Sequence, residues 1–242
     1  MKIVAVTQKG INKRENEDRV IIGKNIISEG IFQTELLNGI VAIADGVGGN
    51  KAGATAAHFV AKCLTDLNDD ISLEKLKKIN DELLRHSLST PQYEYMATTL
   101  AGISFGECET QLFSIGNTRV YLLQGGKYLK QLTEDDTIVQ YLVSTGQITL
   151  EESETFERKN EIIACFGGGY ANLFSKMRCN TISNIITPFL MTSDGIHDYI
   201  SIDQIEEILV KQGITVNACE LIISEARNNG SEDDASIIVG QI

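Results

Sequence analysis

A chain of 242 residues with 43% apolar and 22% charged side chains can bury one sizeable core without staples, and its two prolines exclude a proline-rich linker. The 33 acidic and 21 basic residues give a formal charge of −12, which disfavours nucleic acid and anionic membrane surfaces as partners and suits cation binding. Five scattered cysteines (Cys63, Cys108, Cys165, Cys179 and Cys219) include no Cys-x-x-Cys pair, which argues against a disulfide framework or zinc knuckle and fits free thiols in a reducing compartment. The apolar run from Ile3 to Val6 is too short for a signal-peptide core, and no stretch reaches the length of a membrane span. The expectation is a cytoplasmic monomer.

No internal repeat or linker interrupts the chain, so residues 1–242 read as one domain. Ile3 to Thr7 and Val20 to Ile27 read as strands around a polar loop, Lys9 to Asp18. Gly39 to Ala44 is a continuous apolar run ending at Asp45-Gly46, the pattern of a buried strand entering a turn. Apolar residues at helical spacing predict helices over Gly53 to Leu67 and Leu73 to Ser87. Short β-rich segments follow at Thr98 to Phe105, Gln111 to Ile115, Arg119 to Gln124 and Lys127 to Leu132, with Gly125-Gly126 as a hairpin turn. Asp135 to Ser144 returns to helical spacing, and Gly167-Gly168-Gly169 reads as a flexible loop. A strand at Phe189 to Thr192 runs into Ser193-Asp194-Gly195. Helices at Ile202 to Lys211 and Asn217 to Asn229 and a strand at Ala235 to Gln241 complete the pattern. Consecutive strands joined by tight turns, with helices grouped before and after, predict an α+β layered sandwich with largely antiparallel sheets.

Several aspartates fall where a strand meets a turn: Asp18, Asp45 before Gly46, Asp194 before Gly195, and Asp233-Asp234 before the last strand. A strand end aims a carboxylate from a rigid base, and a following glycine leaves room for a cation or water. Hard divalent cations take such oxygen ligands and keep several waters. Taken singly, an Asp-Gly pair is usually a plain turn; the weight lies in four such sites in order.

With these residues the chain resembles the metal-dependent Ser/Thr protein phosphatases of the PPM family (protein phosphatase 2C), bacterial branch. The resemblance runs through GINKRENED (Gly10 to Asp18), ADGVGG (Ala44 to Gly49) with Gly53, ATTL (Ala97 to Leu100), IGNTRVYL (Ile115 to Leu122), QLTED (Gln131 to Asp135), TSDGIHD (Thr192 to Asp198) and SEDDASI (Ser231 to Ile237). It implies a four-layer αββα sandwich of two antiparallel sheets flanked by helix pairs. It implies two Mn²⁺ or Mg²⁺ ions, with Asp45 bridging them, the Gly46 carbonyl on one, and Asp194 and Asp233 on the other. Asp18 and Glu17 would act through metal-bound water, and phosphoserine or phosphothreonine of a protein substrate would be hydrolysed, in opposition to a cognate kinase. Between two cations a shared water becomes acidic enough to attack phosphorus, and no covalent phosphoenzyme is needed.

Rival phosphatase chemistries fail on the same letters. A thiol phosphatase needs arginine six residues after its cysteine, where this chain has Asp69, Ser114, Ala171, Ile185 and Glu225. There is no Asp-x-Asp and no phosphate-binding GxxxxGK[ST] loop.

The chain also departs from the family. The arginine that grips phosphate is replaced by Lys13, with Arg14 next to it as the other candidate; lysine keeps the charge but loses the planar fork. Asn117 replaces an aspartate associated with a third metal, which argues against a third ion. Asp136 and Ala164 replace a common histidine and arginine, and Asp234 stands where asparagine is commoner. His58, His86 and His197 read as structural or exposed. These departures define a competing reading, a regulatory pseudophosphatase, and a third reading differs only in taking small phosphorylated metabolites.

Overall fold

Tight turns between short apolar segments let consecutive strands pair antiparallel, and two six-stranded sheets result. The computed structural model describes residues 1–47, 51–107, 109–182 and 187–241; Gly48, Gly49, Cys108 and Ile185 lie outside the described residues. The strands are β1 (Lys2–Gln8), β2 (Arg19–Ile22), β3 (Asn25–Ile27), β4 (Gly30–Glu35), β5 (Gly39–Ala44), β6 (Gly46–Val47), β7 (Ala97–Thr98), β8 (Leu100–Phe105), β9 (Thr110–Ile115), β10 (Arg119–Gln124), β11 (Tyr128–Gln131), β12 (Phe166–Gly167), β13 (Arg178–Ile182), β14 (Phe189–Thr192) and β15 (Ala235–Gln241). The helices are α1 (Lys51–Leu67), α2 (Leu73–Ser89), α3 (Ile138–Ser144), α4 (Leu150–Glu154), α5 (Asp194–His197), α6 (Ile202–Gln212) and α7 (Val216–Asn228). One sheet has the order β11-β10-β14-β15-β1-β4 and the other β13-β9-β8-β5-β2-β3; a small third sheet joins β12, β7 and β6.

The two-residue period of a strand sends alternate side chains to different layers. In β5, Val41 and Ile43 point between the sheets, together with Ile3, Ala5, Ile103 and Ile238. Ile40, Ala42 and Ala44 of the same strand point outward under α1 and α2, against Val60, Leu64, Leu76 and Leu83. Val4 and Val6 of β1 likewise meet Ile205, Leu209, Ile222 and Ile223 of α6 and α7. The result is the expected helix–sheet–sheet–helix stack. Fully buried Leu and Ile side chains contribute about 1.5–3 kcal/mol each, so the three cores rather than the caps carry the fold. Caps set helix starts: Ser72 accepts from the Lys75 N–H, and Ser201 with Gln204 forms a capping box.

The structure corrects several sequence expectations. Val20 to Ile27 is not one strand but the hairpin β2–β3, because Gly23 adopts a positive φ of 59° and reverses the chain. Edge strands β4 and β13 contain no fully buried residue, so neither shows the apolar pattern of the inner strands. Helix α4 is a single capped turn on Thr149 and Glu152. The glycine triplet is packed rather than loose: Gly167 pairs in β12, and a Cβ there would collide with the Met96 carbonyl.

Candidate active site

Ends of strands from both sheets converge on one cavity. Asp45 follows β5, and its backbone carbonyl is held by the Thr99 N–H (2.8 Å) and the Thr98 hydroxyl (2.9 Å). Gly46 lies against Gly53 of α1: a Cβ on Gly46 would sit 2.5 Å from the Gly53 carbonyl group, and one on Gly53 would sit 2.7 Å from Glu17 Oε1. Only two glycines permit this approach. Asp194 opens α5 where β14 ends, and its Oδ2 accepts from Asn117 Nδ2 at 3.0 Å. Asp233 precedes β15. Lys13, Glu17, Asp45, Gly46, Asn117, Asp194 and Asp233 line a cavity of about 510 Å³, with Asn160, Glu161 and Ile162 among its other lining residues.

Asp18 sits outside that lining, 1% exposed, and takes the Ser236 hydroxyl on Oδ2 at 2.6 Å. Its Oδ1 and Glu17 Oε1 are buried without a hydrogen-bond partner. Lys13 is ion-paired to Asp233, to Asp234 Oδ2 at 2.9 Å and to Glu17 Oε2 at 3.3 Å.

These carboxylates strain against one another. Burial, followed by the charges of Asp194 and Asp18, pushes Asp45 well above the usual carboxylate range. Burial, then Asp233, raises Asp194, which accepts a hydrogen bond from the Asp45 carboxyl. Asp18 is pushed up to about 7, chiefly by burial, with Asp234 and Asp194 adding to it. Burial raises Glu17, with Lys13 opposing. Burial alone would lower Lys13, but its bonds to Asp233 and Asp234 raise it above an ordinary lysine. Carboxylates pushed up by burial and by one another's charge, and orphaned oxygens among them, fit divalent cations that supply the missing charge. Among the described residues, no three His, Cys, Asp or Glu side chains close into a ready cage. That suits Mg²⁺ or Mn²⁺, which keep several waters, better than structural zinc.

A sign follows for stability. Asp18 keeps its proton in the folded state up to about pH 7, and Asp45 and Asp194 are raised in the same direction, so stability falls as pH rises above the ordinary carboxylate range. Each retained proton sets a slope of roughly 1.4 kcal/mol per pH unit. His197, buried and held neutral, opposes below its ordinary pKa but supplies only one proton of slope. The chelator-treated protein should therefore melt lower at pH 7.5 than at pH 5, and saturating Mn²⁺ should flatten or reverse that trend. A melting series in which both preparations respond alike to pH would refute the coupling.

Arg14 is not brought to this cavity; it lines a separate one with Lys9, Glu15 and Arg19. Asp136 and Ala164 are structural: Asp136 is buried and bound by both Arg178 Nη atoms and the Gly116 N–H, and Ala164 lies in the core under α1 and α2. His197 is buried with Nδ1 2.8 Å from the Thr192 hydroxyl, and His86 sits between Phe59 and Tyr93. Sequence reading missed the part played by Asp234, which is 2% exposed and accepts from the N–H groups of Gly10 (2.7 Å) and Glu17 (2.8 Å) as well as from Lys13. It ties the 9–18 loop to β15. The Asp233-Asp234 doublet was the available signal, but it could not say which carboxylate faces the cavity. Asn160 and Glu161 carried no signal at all.

No protein-family model matches the chain. The serine/threonine phosphatase stp of Listeria monocytogenes is 27% identical to it, over 96% of this chain and 92% of that protein. The crystal structure of the Mycobacterium tuberculosis serine/threonine phosphatase PstP/Ppp superposes with a TM-score of 0.81 at 28% identity, covering 99% of this chain and 98% of that one. The catalytic domain of PstP in complex with two manganese ions superposes with a TM-score of 0.74 at 27% identity, covering 99% and 98%. Likeness in sequence and in architecture thus extends over nearly the whole chain, which belongs to the PPM family of metal-dependent serine/threonine protein phosphatases.

Proposed function

We propose that Asp45, Gly46, Asp194 and Asp233 hold the divalent cations of this phosphatase, with Asp18 and Glu17 ordering their waters from behind. The observation carrying this reading is the cluster of buried, mutually repelling carboxylates with orphaned oxygens along one cavity. The chain is a protein-serine/threonine phosphatase, and the reaction is metal-dependent hydrolysis of phosphoserine and phosphothreonine. When bound, two Mn²⁺ or Mg²⁺ ions acidify the attacking water and neutralise charge on the phosphoryl oxygens. Asn117 holds Asp194 in place by its amide N–H. It brings no charge of its own, which favours two cations over three. Asn160 and Glu161 line the same cavity. The intact carboxylate set favours turnover over a regulatory pseudophosphatase. Residues 1–242 working as one monomeric domain, in the cytoplasm and against a Ser/Thr kinase, complete the proposal. The deciding assay is release of phosphate from a phosphoserine peptide: Mn²⁺ should support it and chelator should abolish it. Undiminished release in chelator would overturn the reading, and faster turnover of a sugar phosphate would reassign the substrate.

Lys13 has two opposed effects. As a cation paired to Asp233 it competes with metal, and as a donor at the cavity wall it can orient a phosphoryl oxygen. Lys13→Ala should therefore tighten Mn²⁺ binding while lowering kcat/KM for a phosphopeptide by about tenfold, one charge-assisted hydrogen bond's worth. Metal titration and steady-state kinetics on the same variant check both signs. Weaker metal binding in Lys13→Ala would show that the ammonium supports the metal ligands rather than competing for them.

A further inference from the structure

The loop before β2 has two sides. Lys13 and Glu17 face the carboxylate cavity, whereas Arg14, Glu15, Asn16 and Arg19 line a second cavity of about 450 Å³ with Lys9 and Glu29. Arg19 is unusual for a guanidinium: it is only 8% exposed, and its hydrogen bonds are both made by Nη1, to the carbonyls of Asn16 (2.6 Å) and Asp18 (2.7 Å). Among the described residues, Nε and Nη2 make no hydrogen bond. Among the described residues none of Lys9, Arg14 and Arg19 is in an ion pair, although the chain carries an excess of 12 negative charges. The charges of Glu15, Asp18, Asp234 and Glu17 act on Arg19, yet none forms an ion pair with it and burial still pulls its pKa down; His58 of α1 is pushed toward its neutral form by burial and by Arg19. Glu29 spends one oxygen on the Lys9 N–H at 3.2 Å, and Glu15 is exposed. A buried arginine normally faces a carboxylate or phosphate, because an uncompensated charge is costly to bury.

We propose that this cavity is an oxyanion site for a phosphate group, with the free N–H edge of Arg19 at its floor and Arg14 and Lys9 at its rim. The planar fork of arginine suits two phosphate oxygens at once. Two sources could supply that group: free orthophosphate, or a second phosphorylated residue of the substrate held at the neighbouring centre. The choice of source rests on the phosphatase reading; the site itself does not.

The experiment titrates inorganic phosphate into the chelator-treated protein at constant ionic strength, followed by calorimetry and by melting temperature, with chloride as control. Without metal, the carboxylate cavity repels the anion, so saturable binding reports the second cavity. The dissociation constant should rise at least about tenfold in the Lys9→Ala/Arg14→Ala double variant, for the loss of charge-assisted hydrogen bonds. It should fall in Glu15→Gln. Both changes lie at exposed positions that keep the fold even where Arg19→Gln does not. No saturable binding, or binding that ignores these substitutions, would overturn the proposal. The metal-loaded enzyme then separates the sources. A kcat/KM preference for doubly over singly phosphorylated peptide that disappears in Lys9→Ala identifies the substrate's second phosphate. Equal handling of both peptides, with phosphate binding intact, identifies the free ion. Phosphate binding that persists in a protein without turnover would sink the catalytic reading and leave this site standing.

Discussion

Asp45→Ala and Asp194→Ala should each lower phosphopeptide turnover by about three orders of magnitude, roughly 4 kcal/mol of transition-state stabilisation. Each removes a carboxylate from the cavity where the cations are proposed to sit, and two of its neighbours are already engaged, Asp18 Oδ2 by Ser236 and Asp233 by Lys13. Chelator should reduce the native enzyme to the same level, and Mn²⁺ should rescue only the native chain. The fold should survive, because each substitution also relieves repulsion within the cluster. The metal-free variants should therefore melt no lower than metal-free native protein, with a shallower dependence on pH. Substantial Mn²⁺-dependent turnover in Asp45→Ala would remove that residue from the centre.

Gly195→Ala should be the most damaging substitution outside the charged set. Glycine to alanine in a helix ordinarily stabilises by about 1 kcal/mol. Here close approach decides the sign, since a Cβ on Gly195 would collide with the backbone carbonyl of Asp234. That carbonyl belongs to a segment pinned on both sides: Ser231 Oγ donates to the Gly195 carbonyl at 2.6 Å, and Arg227 Nη1 donates to the Asp233 carbonyl at 2.5 Å. Making room costs roughly 1–3 kcal/mol of stability. It also moves Asp233 and Asp234 away from Asp194 and loosens the 9–18 loop that Asp234 holds. A displacement near 1 Å in such a site can cost about a hundredfold in rate. Denaturant unfolding and phosphopeptide kinetics on one preparation test both halves. A variant as stable as native but inactive would place the effect in the centre alone, contrary to the shared cause argued here.

The sequence by itself determined the layers and singled out the candidate ligands. Gly39 to Ala44 is a continuous apolar run and Ala235 to Gln241 is centred on Ile237-Ile238-Val239, both suited to buried strands, and the periodicity of α1, α2, α6 and α7 shows which face each helix buries. Aspartates at strand ends, followed by glycine, were legible because the backbone requirement and the chemistry fall on adjacent letters. Edge strands β4 and β13 were not legible, because none of their residues is fully buried and packing demands few apolar letters there. Nor could the letters assign partners. That Asp234 gathers the 9–18 loop, that Asp18 lies behind the cavity, and that Lys13 and Arg14 face different cavities all depend on contacts spanning over 200 residues of chain or on the direction in which one loop turns. Proton retention by Asp18, Asp45 and Asp194 is likewise a property of their shared burial. A carboxylate's charge is written in its letter, but its pKa is set by what the fold places beside it.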